Sequence, residues 1–194
     1  DESMFKELKE FKGPDMSCYP YRRKGLYLLI AIPYVAVLAS VFLFLLLRKG
    51  TAKKSGRSIM PALVYLSFYL GMCYFQAYCC ACQECPYIGE FCPAITGIYP
   101  ANILARMRYG DMEEIKAMAK SESKLEANAN LAAICLGGTI VFPLYWLAKR
   151  SPFLAAGYLL VSAVYYLFHL LGVCPVCAIR ETCPGVQLQA RVLA

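Results

Sequence analysis

Residues 26–47, LYLLIAIPYVAVLASVFLFLLL, run for more than twenty positions without a formal charge. A bilayer's hydrocarbon core is about 30 Å thick and takes about 20 helical residues to cross. The stretch therefore predicts a membrane-spanning helix, and its neighbours predict more. Residues 60–80 (MPALVYLSFYLGMCYFQAYCC), 129–148 and 153–173 repeat the pattern. Gly137, Gly138 and Pro143 make the third run a less regular helix; such residues are tolerated where a neighbouring helix covers the backbone. The first run is too long, and too far along the chain, to read as a cleaved signal segment. The rest of the composition agrees: of 194 residues 59% are hydrophobic and only 17% charged, against about a quarter charged in a soluble domain. The expected fold class is an all-α integral membrane protein. Four transmembrane helices carry a Cys-rich loop cap on the face that holds both termini.

Charge divides the two faces. The short connections 48–58 and 149–152 hold Arg48, Lys49, Lys53, Lys54, Arg57, Lys149 and Arg150, and no acid. The remaining thirteen Lys and Arg share the other face with all thirteen Asp and Glu, so the formal net charge of +7 sits in the two short loops. Short basic loops are retained in the cytoplasm. The expected location is a prokaryotic plasma membrane or an organelle inner membrane, with the Cys-rich face outside. No basic stripe suggests nucleic acid.

The chain divides into an N-terminal segment, 1–25, a membrane domain, 26–173, and a Cys-rich tail, 174–194. Residues 1–12 read as an amphipathic interfacial helix stopped by Gly13-Pro14. Within the membrane domain, 79–104 reads as a shaped Cys-rich loop and 105–126 as a surface helix broken near Gly110. Asp111 is placed to cap its second part, with Glu113 and Glu114 in the first turn.

The chemistry-bearing feature is cysteine. There are eleven. Five of them, Cys79, Cys80, Cys82, Cys85 and Cys92, follow the second apolar run, and Cys174, Cys177 and Cys183 follow the fourth. Cys85, Cys92, Cys174 and Cys183 each precede a proline. Packing alone does not gather thiols at such spacings. Cys73 and Cys135, inside the second and third runs, read as small apolar core residues.

Three chemistries stay open. Cys79-x2-Cys82-x2-Cys85 followed by Cys92-Pro93 resembles the ferredoxin pattern, with a last gap of six residues where three is usual. That resemblance implies one or two 4Fe-4S clusters. One would use Cys79, Cys82, Cys85 and Cys92; the other Cys174, Cys177 and Cys183 with Cys18 or Cys80. The protein would then be an electron-transfer subunit of a larger redox complex, partnered by the bilayer, other subunits and quinone. Second, Cys174-Pro-Val-Cys177 at the end of a fourth helix resembles membrane disulfide oxidoreductases of the vitamin K epoxide reductase and disulfide-bond-formation type. That implies Cys174 and Cys177 as a catalytic pair exchanging with quinone, helped by Arg180. Third, the thiols are structural, as disulfides or as an all-thiolate zinc site. An odd total leaves at least one thiol unpaired in a monomer.

Other residues are weighed against blander roles. His169, the only histidine, lies in the fourth run and is a candidate to ligate a metal or to carry protons for a quinone; the alternative is helix packing. Glu84 and Glu90 sit among the thiols, where most loop acids are merely solvated. Tyr65, Tyr69, Tyr74 and Tyr78, with Phe68 and Phe75, form a stripe that packs against neighbouring helices or lines a quinone crevice.

Overall fold

A computed structural model describes residues 24–47, 59–85, 88, 100–169 and 171. These residues are helices and short turns, with no strand among them. In chain order the helices are α1 (Lys24–Leu47), α2 (Met60–Cys82), α3 (Pro100–Tyr109), α4 (Met112–Ala117), α5 (Glu122–Val141), α6 (Leu144–Arg150) and α7 (Pro152–Phe168). Three apolar stretches are long enough to cross a bilayer: Leu29–Leu47, Met60–Cys82 and the combined α5–α6 segment Glu122–Arg150. The last begins seven residues before the apolar run at 129, so its first two turns carry Glu122, Lys124 and Glu126 ahead of that run. The apolar helix α7 follows, with 17 described residues.

The helices close a ring. α1 packs on α2 and α7, α2 on α5, and α6 on α7. Tyr34 of α1 stacks on Tyr165 of α7, while Val41 and Leu45 of α1 meet Ala62 and Tyr65 of α2, Leu147 of α6 and Tyr158 of α7. Neighbouring helices around this ring therefore run antiparallel. One end of the bundle holds Cys79–Cys85, the start of α5 and His169; it is called the thiol pole below. The outward surface is apolar: Leu29, Ile32, Leu43, Leu70, Ile134, Leu160 and Val164 are all exposed. Such a surface is compatible with contact with a lipid bilayer.

The most extensive helix pair is α2 with α5, and it interlocks in both directions. The Phe68 ring of α2 occupies the space over Gly138, where a Cβ would stand 2.4 Å from it. The Cys135 thiol of α5 occupies the space over Gly71, 3.1 Å from where a Cβ would be. Small residues let helix backbones approach closely where lipid supplies no hydrophobic drive between them. The neighbouring Gly137 has open space around its Cβ position. The glycine pair that predicts an irregular helix thus contains one packing glycine and one that contacts nothing.

Pro143 interrupts the third of these long apolar segments, between α5 and α6. Proline lacks the N–H that would bond the carbonyl four residues back, which is Thr139's. In the structure that carbonyl accepts a hydrogen bond from the Tyr158 hydroxyl of α7 at 3.0 Å. The proline creates an orphan acceptor, and a neighbouring helix supplies the donor. On either side the ladder is intact: Phe142 N–H bonds the Gly138 carbonyl and Leu147 N–H the Pro143 carbonyl, both at 2.9 Å.

The surface segment behaves as expected at Gly110 and Asp111. Gly110 has a φ of +85°, a conformation open to glycine. Asp111 caps α4, accepting from the N–H groups of Glu113 and Glu114, while the Glu114 carboxylate accepts from the Asp111 N–H at 2.9 Å. This is a complete capping box. Helix, however, starts earlier than the surface segment predicted, at Pro100.

Two measurements check this packing. Gly138→Ala forces the Phe68 ring to move and is expected to cost about 1–3 kcal/mol, whereas Gly137→Ala is neutral or slightly stabilising; thermal unfolding of detergent-solubilised protein reads both. Equal effects would contradict the Phe68 contact. Tyr158→Phe should cost about 1–3 kcal/mol by orphaning the Thr139 carbonyl. The same change should cost much less in a Pro143→Ala background, where residue 143 regains its N–H; additive effects would rule out that coupling.

Candidate functional site at the thiol pole

α2 does not stop where the apolar run stops. It continues to Cys82, so Cys79, Cys80 and Cys82 are helical, and Cys85 follows one turn later. Residues 79–85 therefore form a helix end where the sequence predicts a shaped loop. The chain leaves this helix through a specific hydrogen-bonded exit. Cys85 N–H bonds the Cys80 carbonyl at 3.0 Å and Glu84 N–H bonds the Ala81 carbonyl at 3.1 Å, with Glu84 in the left-handed region at φ +50°. These are the two bonds of a Schellman motif. The motif's habitual apolar contact is here a contact between cysteines: Cys80 and Cys85 share a buried cluster with Ala77 of α2 and Ala105 of α3.

Glutamate is an unusual residue for this turn. A side chain in the left-handed region costs roughly 1–2 kcal/mol that glycine avoids. Glu84 makes an ion pair with Lys120, from the turn between α4 and α5. The pair ties the exit of α2 to the surface segment. Hydrogen bonding to Lys120 holds the Glu84 carboxyl below the usual carboxylate range; it outweighs the opposing effect of burial, and the Lys120 and Lys116 charges add to it.

Helical spacing sorts the thiols. At 3.6 residues per turn, Cys79 and Cys82 lie about 60° apart around α2, whereas Cys80 and Cys82 lie about 160° apart. Cys79 is buried against α5, its Sγ 3.9 Å from the Leu125 carbonyl. Cys80 faces α3, with Gln76 Nε2 at 4.0 Å from its sulfur. Cys82 is half-buried, beside Tyr78. Exposure is 1% for Cys79, 6% for Cys80 and 2% for Cys85. Cys80 and Cys85 come together in one buried cluster, while Cys79 and Cys82 lie on neighbouring sides of α2. Among the described residues no group of three or more His, Cys, Asp and Glu side chains stands close enough together to hold a metal ion.

α3 roofs this pole. Ala101 and Ala105 are fully buried against α2, and these small side chains let α3 lie close. Tyr109 meets Tyr78 edge-on, ring centroids 6.0 Å apart, and the Arg108 guanidinium lies 4.3 Å from the Tyr74 ring centroid and 5.2 Å from that of Tyr109. Ile103 and Met107 project outward, Met107 being 79% exposed. The helix has the apolar-plus-basic character of an interfacial element.

Other expected site residues fall in several places. Cys18, Cys92, Cys174, Cys177, Cys183 and Glu90 lie outside the described residues, as do 1–12 and the tail 174–194. Cys73 is buried with Met72 and Ala101, as an apolar core residue would be; Cys135 is partly buried beside them. His169 ends α7 at the thiol pole, its ring 6.1 Å from that of Tyr165 and nearly parallel to it. The tyrosine stripe on α2 divides: Tyr65 is buried in the bundle, whereas Tyr74 is 43% exposed under Arg108. Comparison with protein-family models, with characterised proteins and with solved structures finds no match for this chain.

Two features were not visible in the sequence. The Schellman exit escapes notice because its left-handed position holds Glu, not Gly. The buried hydroxyls of α7 escape notice because Tyr and Ser within an apolar run read as ordinary packing.

The Glu84–Lys120 tie has a pH signature. Because the folded carboxyl is depressed below its unfolded value of about 4.3, the pair stabilises at neutral pH and is lost as pH falls through the depressed value. Glu84→Gln should lower stability at pH 7 by less than about 1 kcal/mol, as for other exposed pairs. The gap to the unaltered protein should close below about pH 4 in pH-dependent thermal melts. A gap that persists in acid would mean that Glu84 acts through something other than its charge.

Proposed function

We propose that this chain is a four-span membrane electron carrier that holds iron–sulfur chemistry at its thiol pole. One observation carries the reading: four cysteines within seven positions at one helix end, three of them shielded from solvent. Thiol–disulfide exchange needs a thiolate that a partner can reach, and burial of Cys79, Cys80 and Cys85 works against exchange at these three thiols; the Cys174–Cys177 pair lies outside the described residues. Cluster ligands have the opposite requirement, since shielding from solvent is one means of tuning a cluster's potential.

The helical sorting refines the ligand expectation. Cys79 and Cys82 offer one pair of sulfurs and Cys80 and Cys85 another, so each pair needs thiols from elsewhere to complete a set of four. Cys92, Cys18 and the group Cys174, Cys177 and Cys183 are the candidates within the chain. In this reading α7 extends past Phe168 as the fourth span and brings the C-terminal cysteines to the pole that carries the first group. The basic loops 48–58 and 149–152 then share the opposite, cytoplasmic side. The electron partner is another redox subunit or a quinone in the surrounding lipid.

Anaerobic purification in detergent, followed by iron and acid-labile sulfide analysis, tests this. Expected are brown protein, broad visible absorption and close to four irons per cluster. Paired changes of Cys79 and Cys82 to Ser, or of Cys80 and Cys85 to Ser, should each remove iron without preventing membrane insertion. Colourless, iron-free protein in which all but one of the thiols resist alkylation until reduced would establish structural disulfides instead.

A further inference from the structure

The inner face of α7 is polar. Tyr158, Ser162, Tyr165, Tyr166 and His169 recur at spacings of three and four along a helix that is otherwise apolar, and Tyr34 of α1 and Tyr65 of α2 join them. The hydroxyls of Tyr65 and Ser162 lie beside that of Tyr158, and those of Ser162 and Tyr166 lie beside that of Tyr34. Tyr34, Tyr65, Tyr158 and Ser162 are each only 3 to 4% exposed.

These hydroxyls differ from others in the apolar helices. Ser40, Ser67 and Thr139 each donate to the carbonyl four residues back in their own helix, at 2.7, 2.8 and 2.9 Å. Tyr65, Ser162 and Tyr166 lie within reach of the Tyr158 and Tyr34 hydroxyls but form no well-aligned hydrogen bond with them, and His169 Nδ1 has no aligned partner either, although all four atoms are buried. Buried polar groups grouped in this way are characteristically bridged by ordered water. The two ends of the row differ. His169 stands at the thiol pole. Toward the basic loops the row ends at Val41, Leu45, Ala62 and Leu147, an apolar layer at most 6% exposed.

We propose that this row is a blind proton half-channel. It is entered at the thiol pole past His169, conducted by water held among Tyr166, Tyr34, Ser162, Tyr158 and Tyr65, and closed by the Leu45–Leu147 layer. Its substrate is the proton. Each hydroxyl or water takes a proton on a lone pair and passes on its own, so one charge moves and nothing is oxidised or reduced. Protons from the thiol pole reach deep into the bundle, and the apolar layer keeps them from crossing it. The half-channel does not depend on a metal cluster at the pole.

Full-length protein in liposomes containing a trapped pH-sensitive dye, under a potassium diffusion potential with valinomycin, tests this. The unaltered protein should be as proton-tight as empty liposomes. Leu45→Ser with Leu147→Ser should open the layer and raise proton flux at least tenfold. Adding Ser162→Ala and Tyr166→Phe should bring the flux down again at least tenfold; both changes leave the Tyr158–Thr139 hydrogen bond and the Tyr34–Tyr165 stacking in place. Opened protein that stays tight, flux indifferent to Ser162 and Tyr166, or an unaltered protein that leaks would each overturn the proposal. If the Leu variants fail to fold, infrared spectra in D2O decide. Ser162→Ala with Tyr166→Phe should lose O–D stretching bands of internal water, and unchanged bands would overturn the half-channel.

Discussion

The reciprocal insertion of α2 and α5 is the contact on which the rest of this structure depends. Phe68 fills the space over Gly138 and Cys135 fills the space over Gly71. In lipid there is no hydrophobic gain from bringing two apolar helices together, so shape matching and dispersion supply the attraction. Two knobs pointing in opposite directions fix both the separation and the rotation of α2. That rotation decides which sulfurs at its end face α5, which face α3 and which stay half-exposed.

A second constraint runs across the bundle from Pro143. The proline makes the α5–α6 segment fit the ring but frees one carbonyl within an apolar segment. Tyr158 answers it from α7. A helix break and a buried hydroxyl are therefore one device, and it helps fix the rotation of α7. The hydroxyl row along α7 is oriented by that anchor at one end and by the stacking of Tyr165 on Tyr34 at the other. At the thiol pole, strain at Glu84 is held by the ion pair with Lys120, which joins the surface segment to the end of α2. Both the pole and the polar row are thus places where the fold carries groups that an apolar bundle would avoid.

Much of the architecture was legible in the chain because burial in lipid imposes simple rules. Length and the absence of charge mark the apolar helices. Gly110 followed by Asp-x-x-Glu marks the break and cap of α4. The position of the first thiol group at the end of the second run was equally plain. Its local form was not. Cysteine has little secondary-structure preference of its own, and the prolines beyond Cys85 suggested that the loop began before α2 had ended.

Sequence alone therefore determined where the chain is apolar, where its charges fall and which segment carries the thiols, because each depends on residue type and order along one strand of polymer. Only tertiary structure decided that Gly138 packs while Gly137 does not, and that Cys79 is buried against α5 while Cys80 is buried against α3. It alone brought hydroxyls from α1, α2 and α7 into one row. Those outcomes depend on the relative rotation of helices, which is set by contacts between residues far apart in the chain and leaves no period in any single segment.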